Sequence, residues 1–283
     1  MKRATLLALL IAALLAACAP AATPTPVPTS VPPAETLVPP TATPEEVSLN
    51  VFAAASLTDA FKEIGNNFEA AHPGARVLFN FSGSQTLSTQ LVQGAVADVF
   101  ASANHTEMDK VVAANLAQKD APKDFLTNKL LVILPKDNPA NVQTLQDLAR
   151  PDLKLVLADA SVPAGKYARQ ILDNMSKEAT FGSDFSTQVL ANVVSNETDV
   201  KQVVAKVQLG EADAGIAYIS DAVAAPDLKT IAIPNNYNVI AKYPIAALIN
   251  APQSKLASDF VNFVLSAEGQ AILKKWGFTP ITP

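Results

Sequence analysis

The chain has 283 residues and a formal net charge of −5, with 17% charged and 49% hydrophobic residues. This acidic balance argues against a nucleic-acid-binding protein, which would need a basic surface. No apolar run after the amino-terminal segment reaches membrane-spanning length, and residues 47–283 are enough for one large or two smaller hydrophobic cores.

The amino terminus has the pattern of an export signal. Lys2 and Arg3 precede an apolar run at 4–17, which is too short for a transmembrane helix, and Cys18 follows. The sequence LAAC at 15–18 resembles the lipobox of bacterial lipoproteins. That resemblance implies a signal peptide at 1–17, cleavage before Cys18, and a lipid on its thiol that anchors the protein to the outer face of the cell membrane. The alternative is an ordinary secretory signal with an incidental cysteine. Because Cys18 is the single cysteine, an internal disulfide is excluded.

Residues 18–46 consist mainly of Ala, Thr, Pro and Val, with Thr-Pro repeats beginning at Thr23. Proline at this density is incompatible with a helix or a strand ladder and favours extended polyproline II conformation. We therefore predict a semi-rigid linker that holds the folded region away from the membrane.

From residue 47 onward, strand and helix patterns alternate. The predicted strands are 47–52, 76–81, 97–102, 129–134, 153–158, 212–219, 230–234 and 245–249. The predicted helices are 57–71, 86–93, 106–115, 142–148, 166–175, 199–209, 255–265 and 267–276, while 188–194 fits either type. This alternation predicts an α/β fold with mostly parallel sheets, in which ligands bind beyond the carboxyl ends of the strands.

Several predicted helices begin with small or polar residues directly after a strand. Ser56 is placed to cap the first helix, and Ser84 follows Gly83 at the start of the second. Ala164 follows a proline at a third helix entrance, and Val200 opens a fourth. Taken alone, Ser56 is most simply a capping residue. Converging helix starts of this kind, however, would bind an oxyanion through neutral N–H and O–H donors.

Five segments resemble, in order, the signatures of the periplasmic molybdate-binding proteins of ABC transporters. They are VFAAASL at 51–57, SQTL at 84–87, GAVADVF at 94–100, VPAGKYA at 162–168 and GIAYISDA at 215–222. The resemblance implies a type II periplasmic-binding-protein fold, with two α/β lobes, a hinge, and the ligand in the cleft. Lobe I would comprise 47–128 plus 234–283 and lobe II 129–233, with hinge crossings at 129–134 and 235–244.

The resemblance also implies the ligand groups. Ser56 and Ser84 would supply hydroxyl and backbone donors from lobe I. Ala164 and Val200 would supply backbone N–H groups from lobe II, and Tyr218 its phenolic hydroxyl. The implied ligand is molybdate, with tungstate as a close analogue, delivered to a membrane permease driven by an ATPase. Gly83 departs from the pattern, since many relatives carry serine there, and one donor could be lost.

A site made only of neutral donors suits a permanent dianion, because a protonated phosphate would bring an O–H that finds no acceptor. Sulfate must then be distinguished by size, so another oxyanion or a small organic acid is the alternative ligand. An enzyme is a weaker hypothesis: His72 and His105, the only histidines, have no metal-ligand spacing, and no Gly-x-Ser-x-Gly motif occurs. A purely structural lipoprotein would leave the donor turns unexplained. No cofactor is predicted, and a monomer is expected.

Overall fold

The computed structural model describes residues 46–281. The predicted signal peptide, the lipidation site at Cys18 and nearly all of the linker lie outside these residues. The strands are β1 Val47–Ala54, β2 Ala75–Ser82, β3 Val99–Ala101, β4 Lys123–Asn128, β5 Leu130–Leu134, β6 Leu155–Ala158, β7 Val193–Glu197, β8 Ala214–Tyr218, β9 Lys229–Ala232, β10 Ala241–Ala247 and β11 Thr279–Pro280. The α-helices are α1 Thr58–Ala71, α2 Ser84–Val92, α3 His105–Ala113, α4 Pro163–Ser176, α5 Phe185–Ala191, α6 Val200–Gln208, α7 Ile219–Ala224, α8 Ser254–Leu265 and α9 Ala267–Lys275.

The strands form two separate sheets. The first has six strands in the order β11-β4-β10-β3-β1-β2, and the second has five in the order β7-β6-β8-β5-β9. We call the first sheet with its helices lobe I and the second sheet with its helices lobe II. The predicted α/β class with two lobes is confirmed.

The prediction of mostly parallel sheets is wrong, because both sheets are mixed. In lobe I, β1 pairs parallel with β2 and β3, whereas β10 runs antiparallel to β3 and β4. In lobe II, β6 pairs parallel with β7 and β8, whereas β5 runs antiparallel to β8 and β9. The reversed strands β5 and β10 are the first that the chain forms after it passes from one sheet to the other.

The chain passes between the sheets twice. Lys129 alone separates β4 from β5, and residues 233–240 connect β9 to β10. The crossings are tied together: the side chain of Asn238 accepts a hydrogen bond from the Leu130 N–H at 3.1 Å and donates one to the Leu130 carbonyl at 2.8 Å. Residues 130–134 and 241–244, which were included in the predicted hinge, lie within β5 and β10.

Helix α1 illustrates how the sequence pattern positions lobe I. Its residues Ala60, Phe61, Ile64 and Phe68 recur at helical spacing and are all buried against the sheet. Phe68 packs edge-to-face on Phe260 of α8, with 5.2 Å between the ring centroids. This packing fixes α1 against lobe I, and the chain order places its start directly after β1.

Two local predictions need correction, one ambiguous segment is resolved, and one strand was missed. Ser56 does not cap α1: it lies inside a 3-10 turn, Ala55–Leu57, that continues into the helix. The helix predicted at 142–148 is only a 3-10 turn, Gln146–Ala149. The ambiguous segment 188–194 contains both types, since α5 ends at Ala191 and β7 begins at Val193. Strand β4 was missed, because KDFLTN alternates poorly between apolar and polar residues.

Candidate functional site

A small pocket with about 210 Å³ of empty space lies between the two lobes, where the strands of both sheets lead into helices. Its lining residues are Ala54, Ala55, Ser56, Gly83, Ser84, Ala103, Val162, Pro163, Ala164, Asp199, Val200 and Tyr218. All five residues that were predicted as ligand groups line this one pocket. Tertiary structure therefore brings together positions that span more than half of the chain.

Four helical segments begin at the pocket wall: the 3-10 turn that leads into α1, then α2, α4 and α6. The first N–H groups of a helix have no intrahelical acceptor, and the helix dipole places partial positive charge there. Pro163 at the first position of α4 has no N–H of its own and a backbone angle already suited to a helix. The converging helix starts direct partial positive charge toward the pocket, which no lysine or arginine lines.

Two buried serine hydroxyls at the pocket wall are each held by a hydrogen-bond partner. The Ser56 Oγ lies 2.9 Å from the hydroxyl oxygen of Tyr243 on β10. The Ser84 Oγ accepts a hydrogen bond from the Ala103 N–H at 3.0 Å, which leaves its own proton free to donate. Ser84 can therefore donate toward the cavity, and Ser56 can do so when Tyr243 is the donor in their shared hydrogen bond. The ligand roles of both serines stay predictions.

Tyr218 ends β8 with its side chain almost completely buried, at 1% exposure. Within residues 46–281, its hydroxyl is a buried polar group with no hydrogen-bond partner. Burial, reinforced by the nearby Tyr243, raises the pKa of this phenol well above its ordinary value, so the hydroxyl keeps its proton. A buried donor without an acceptor costs free energy, and a donor of this kind at a pocket wall is available to a ligand that can accept from it.

Three carboxylates lie beside the pocket. Asp199 lines it, and its Oδ1 caps α6 by accepting from the Gln202 N–H at 3.1 Å. Asp221 is fully buried on α7; burial raises its pKa to about 6, although the nearby Lys201 ammonium acts in the opposite direction. Asp59 lies in the first turn of α1. None of these three acids was predicted as a site residue, because their proximity to the pocket depends on contacts between distant segments.

Gly83 marks a point of close approach between the lobes. A Cβ atom placed on it would lie 2.6 Å from the Thr198 carbonyl oxygen of lobe II and 2.5 Å from the side chain of Gln85. Gln85 itself donates from Nε2 to the same carbonyl oxygen at 2.9 Å. The absence of a side chain at Gly83 therefore allows the lobes to meet. The sequence comparison treated Gly83 only as a lost serine donor and did not reveal this steric role.

We expect Gly83→Ser to weaken ligand binding by about tenfold, because the two lobes must move apart at this point to make room for the added Cβ atom. The Gly83→Ala variant is the matched comparison, since it adds the Cβ atom without a hydroxyl and should weaken binding to a similar extent. Calorimetric titration measures both. An unchanged or tighter affinity in Gly83→Ser would mean that a restored serine donor outweighs the steric contact.

The described residues show no alternative chemical centre. No group of three or more His, Cys, Asp or Glu side chains within 46–281 could hold a metal ion. None of the helices in this part of the chain is long and apolar enough to cross a membrane. A larger pocket in lobe I, lined by residues that include His72, Gln253 and Lys255, contains none of the residues predicted as ligand groups.

Two α/β lobes that meet over a small pocket of helix starts and hydroxyls define a two-lobed solute-binding protein. The family model for bacterial extracellular solute-binding protein matches residues 49–279. The molybdate-binding protein ModA of Mycobacterium tuberculosis is 41% identical over 232 residues, covering 82% of this chain and 84% of the relative. The chain therefore belongs to the ModA family of bacterial extracellular solute-binding proteins. This membership confirms that it is a binding protein rather than an enzyme.

Solved structures agree with this fold. The substrate-binding domain of a proposed molybdenum ABC transporter from Clostridium difficile has a TM-score of 0.62 and 30% identity, covering 83% of this chain and 99% of that one. The sulfate-binding protein SubI of M. tuberculosis has a TM-score of 0.75 at 18% identity, covering 84% and 88%. At that identity SubI supports the shared fold alone.

Proposed function

We propose that the protein captures molybdate, and also tungstate, in the pocket between its lobes and delivers it to a membrane permease driven by an ATPase. The observation that carries the proposal is the convergence of Ser56, Ser84, Ala164, Val200 and Tyr218 on one small pocket. The relatives named as molybdate-binding proteins support the choice of anion.

The pocket suits a dianion for a physical reason. Its free groups are N–H and O–H donors, and no cationic side chain lines it. Molybdate carries no proton and can accept from every donor, including the Tyr218 hydroxyl that otherwise has no partner among the described residues. Sulfate has the same shape and charge, so the choice between these anions rests on size.

The transport cycle follows from the two-lobed arrangement. Ligand contacts to both lobes favour the closed form, which excludes water and is the form that the permease recognises. We place the hinge at Lys129 and residues 233–240, between lobe I at 47–128 plus 234–283 and lobe II at 129–233. We further propose that the protein works as a monomer, exported with the signal peptide 1–17 and anchored through a lipid on Cys18.

Calorimetric titration against molybdate, tungstate, sulfate and phosphate tests the ligand. We expect tight binding of molybdate and tungstate and weaker binding of sulfate and phosphate. Tight binding of sulfate without binding of molybdate would show that the ligand is a sulfate-like oxyanion and that the proposed ligand is wrong. A small organic acid as the only ligand would exclude both anions.

The serine variants test the site itself. Ser56→Ala and Ser84→Ala should each weaken molybdate binding by about 1–3 kcal/mol, because each removes a donor that the buried anion needs. Ser258→Ala is a control, since Ser258 lies on the exposed face of α8 and donates only to the Ser254 carbonyl. Unchanged affinity in both pocket variants would place the anion elsewhere.

A further inference from the structure

An ionic contact crosses the cleft beside the pocket. The Lys201 Nζ on α6 of lobe II lies 2.7 Å from the Asp59 Oδ2 on α1 of lobe I. The same ammonium lies 3.3 Å from the Asp221 Oδ1 on α7 of lobe II. We call Asp59, Lys201 and Asp221 the cleft triad. Its side chains are about one-third exposed at Asp59 and Lys201 and fully buried at Asp221.

Each member of the triad is attached to a pocket residue. Lys201 directly follows Val200 in the first turn of α6, and Asp59 lies three residues after Ser56. Asp221 lies three residues after Tyr218, and its Oδ2 accepts from the Tyr218 N–H at 3.2 Å. The triad therefore connects the segments that present three of the proposed ligand groups.

The charges in the triad depend on one another. Both the Asp59 and the Asp221 carboxylates lie against the one Lys201 ammonium, and a dianion in the adjacent pocket would add further negative charge nearby. The Asp221 Oδ1 has no hydrogen bond within residues 46–281. The nearby Lys201 ammonium therefore offsets the negative charge of this carboxylate. Because like charges in a partly buried site repel strongly, closure without Lys201 would be unfavourable.

We propose that Lys201 is a positioning residue that couples lobe closure to anion capture. It stays with Asp221 when the cleft opens and gains Asp59 when the cleft closes. The Asp59–Lys201 contact is then made only in the closed form, so its free energy contributes to ligand affinity. This inference rests on the proposed anion-binding function and deepens it, because Lys201 acts through the neighbouring pocket segments and not by lining the pocket.

A second lysine on the same helix provides a matched control. The Lys206 Nζ lies 2.7 Å from the Glu197 Oε1 and 2.8 Å from the Ser195 Oγ, and all three residues belong to lobe II. An ion pair inside one lobe is present in both the open and the closed form. Lys206→Met should therefore lower stability without changing ligand affinity.

The test is a double-mutant cycle on the purified protein, titrated with molybdate and, in a parallel series, with sulfate. Lys201→Met should weaken binding about tenfold and Asp59→Asn about fivefold, since each removes one side of the contact between lobes. In the Lys201→Met background, Asp59→Asn should cause no further loss, because the contact is already gone and one unpaired carboxylate is removed. Lys201→Arg should keep most of the affinity.

The outcomes separate this inference from the proposed function. If the wild-type protein binds sulfate but not molybdate, the proposed ligand is wrong, and the cycle is evaluated with sulfate. Additive losses in the double variant, or tighter binding in Asp59→Asn alone, would overturn the coupling role even if molybdate binds. Equal losses of affinity in Lys206→Met and Lys201→Met would show a general stability effect and would also overturn the coupling role.

If Lys201→Met fails to fold, the change in affinity of Asp59→Asn alone still tests the coupling role: weaker binding supports it and tighter binding overturns it. A protein that binds neither anion would overturn both proposals.

Discussion

Ala164→Leu should lower molybdate affinity by about 100-fold or more, because the larger side chain competes with the ligand for a cavity of about 210 Å³. Ala164 is 2% exposed and lies in the first turn of α4, so the added carbon atoms have little room outside the pocket. Isothermal titration measures the loss, and urea unfolding reports whether the ligand-free protein keeps its stability.

The matched control is Ala70→Leu, which makes the same change on the exposed side of α1. We expect its affinity to equal that of the unmodified protein. If Ala164→Leu bound molybdate normally while remaining folded, the anion would not occupy the pocket between the lobes, and the site assignment would fail.

Tyr218→Phe should move ligand affinity and stability in opposite directions. Removing the hydroxyl takes away one donor to the anion, which should weaken binding by about 1–3 kcal/mol. In the ligand-free protein the same hydroxyl is buried without a partner in residues 46–281, so its removal should leave the free energy of unfolding unchanged or raise it. Titration calorimetry and chemical denaturation together measure the two effects.

Tyr237→Phe is the control for this variant, because Tyr237 is half-buried, packs on Phe181 at 5.5 Å between ring centroids, and does not line the pocket. Tyr237 lies in the connection 233–240, but the change leaves its backbone carbonyl, which accepts from Asn174, in place. Its affinity should not change. A Tyr218→Phe protein that is clearly less stable and still binds normally would show that the hydroxyl has a structural partner and no ligand role.

Local patterns were sufficient to predict most of the elements. The apolar residues of α1 recur at helical spacing, and the runs that form β1, β6 and β8 alternate or are uniformly apolar, so their type follows from the chain itself. Elements failed where local preference was weak. The 142–148 segment buries Val142, Leu145 and Leu148 at a spacing of three, which fits a 3-10 turn as well as a helix. Strand β4 is specified by its neighbours β10 and β11 more than by its own residues.

The pairing of the strands could not be predicted from local patterns. Parallel and antiparallel neighbours place similar demands on a buried strand, and β5 and β10 reverse direction because the chain changes sheets at Lys129 and again within 233–240. Such long-range connections depend on how whole elements pack, which no window of ten residues contains.

For the site, the sequence by itself determined the residue types and their order: small turns before helices at Ser56, Ser84, Ala164 and Val200, and a tyrosine at the end of β8. Those positions carry donors because serine hydroxyls and the first N–H groups of helices are properties of local chemistry. Only the tertiary structure decided that they share one pocket, that Gly83 permits contact between the lobes, and that Lys201 joins Asp59 to Asp221. The physical reason is that burial, an unpaired hydroxyl and an ion pair across a cleft are created when distant segments meet.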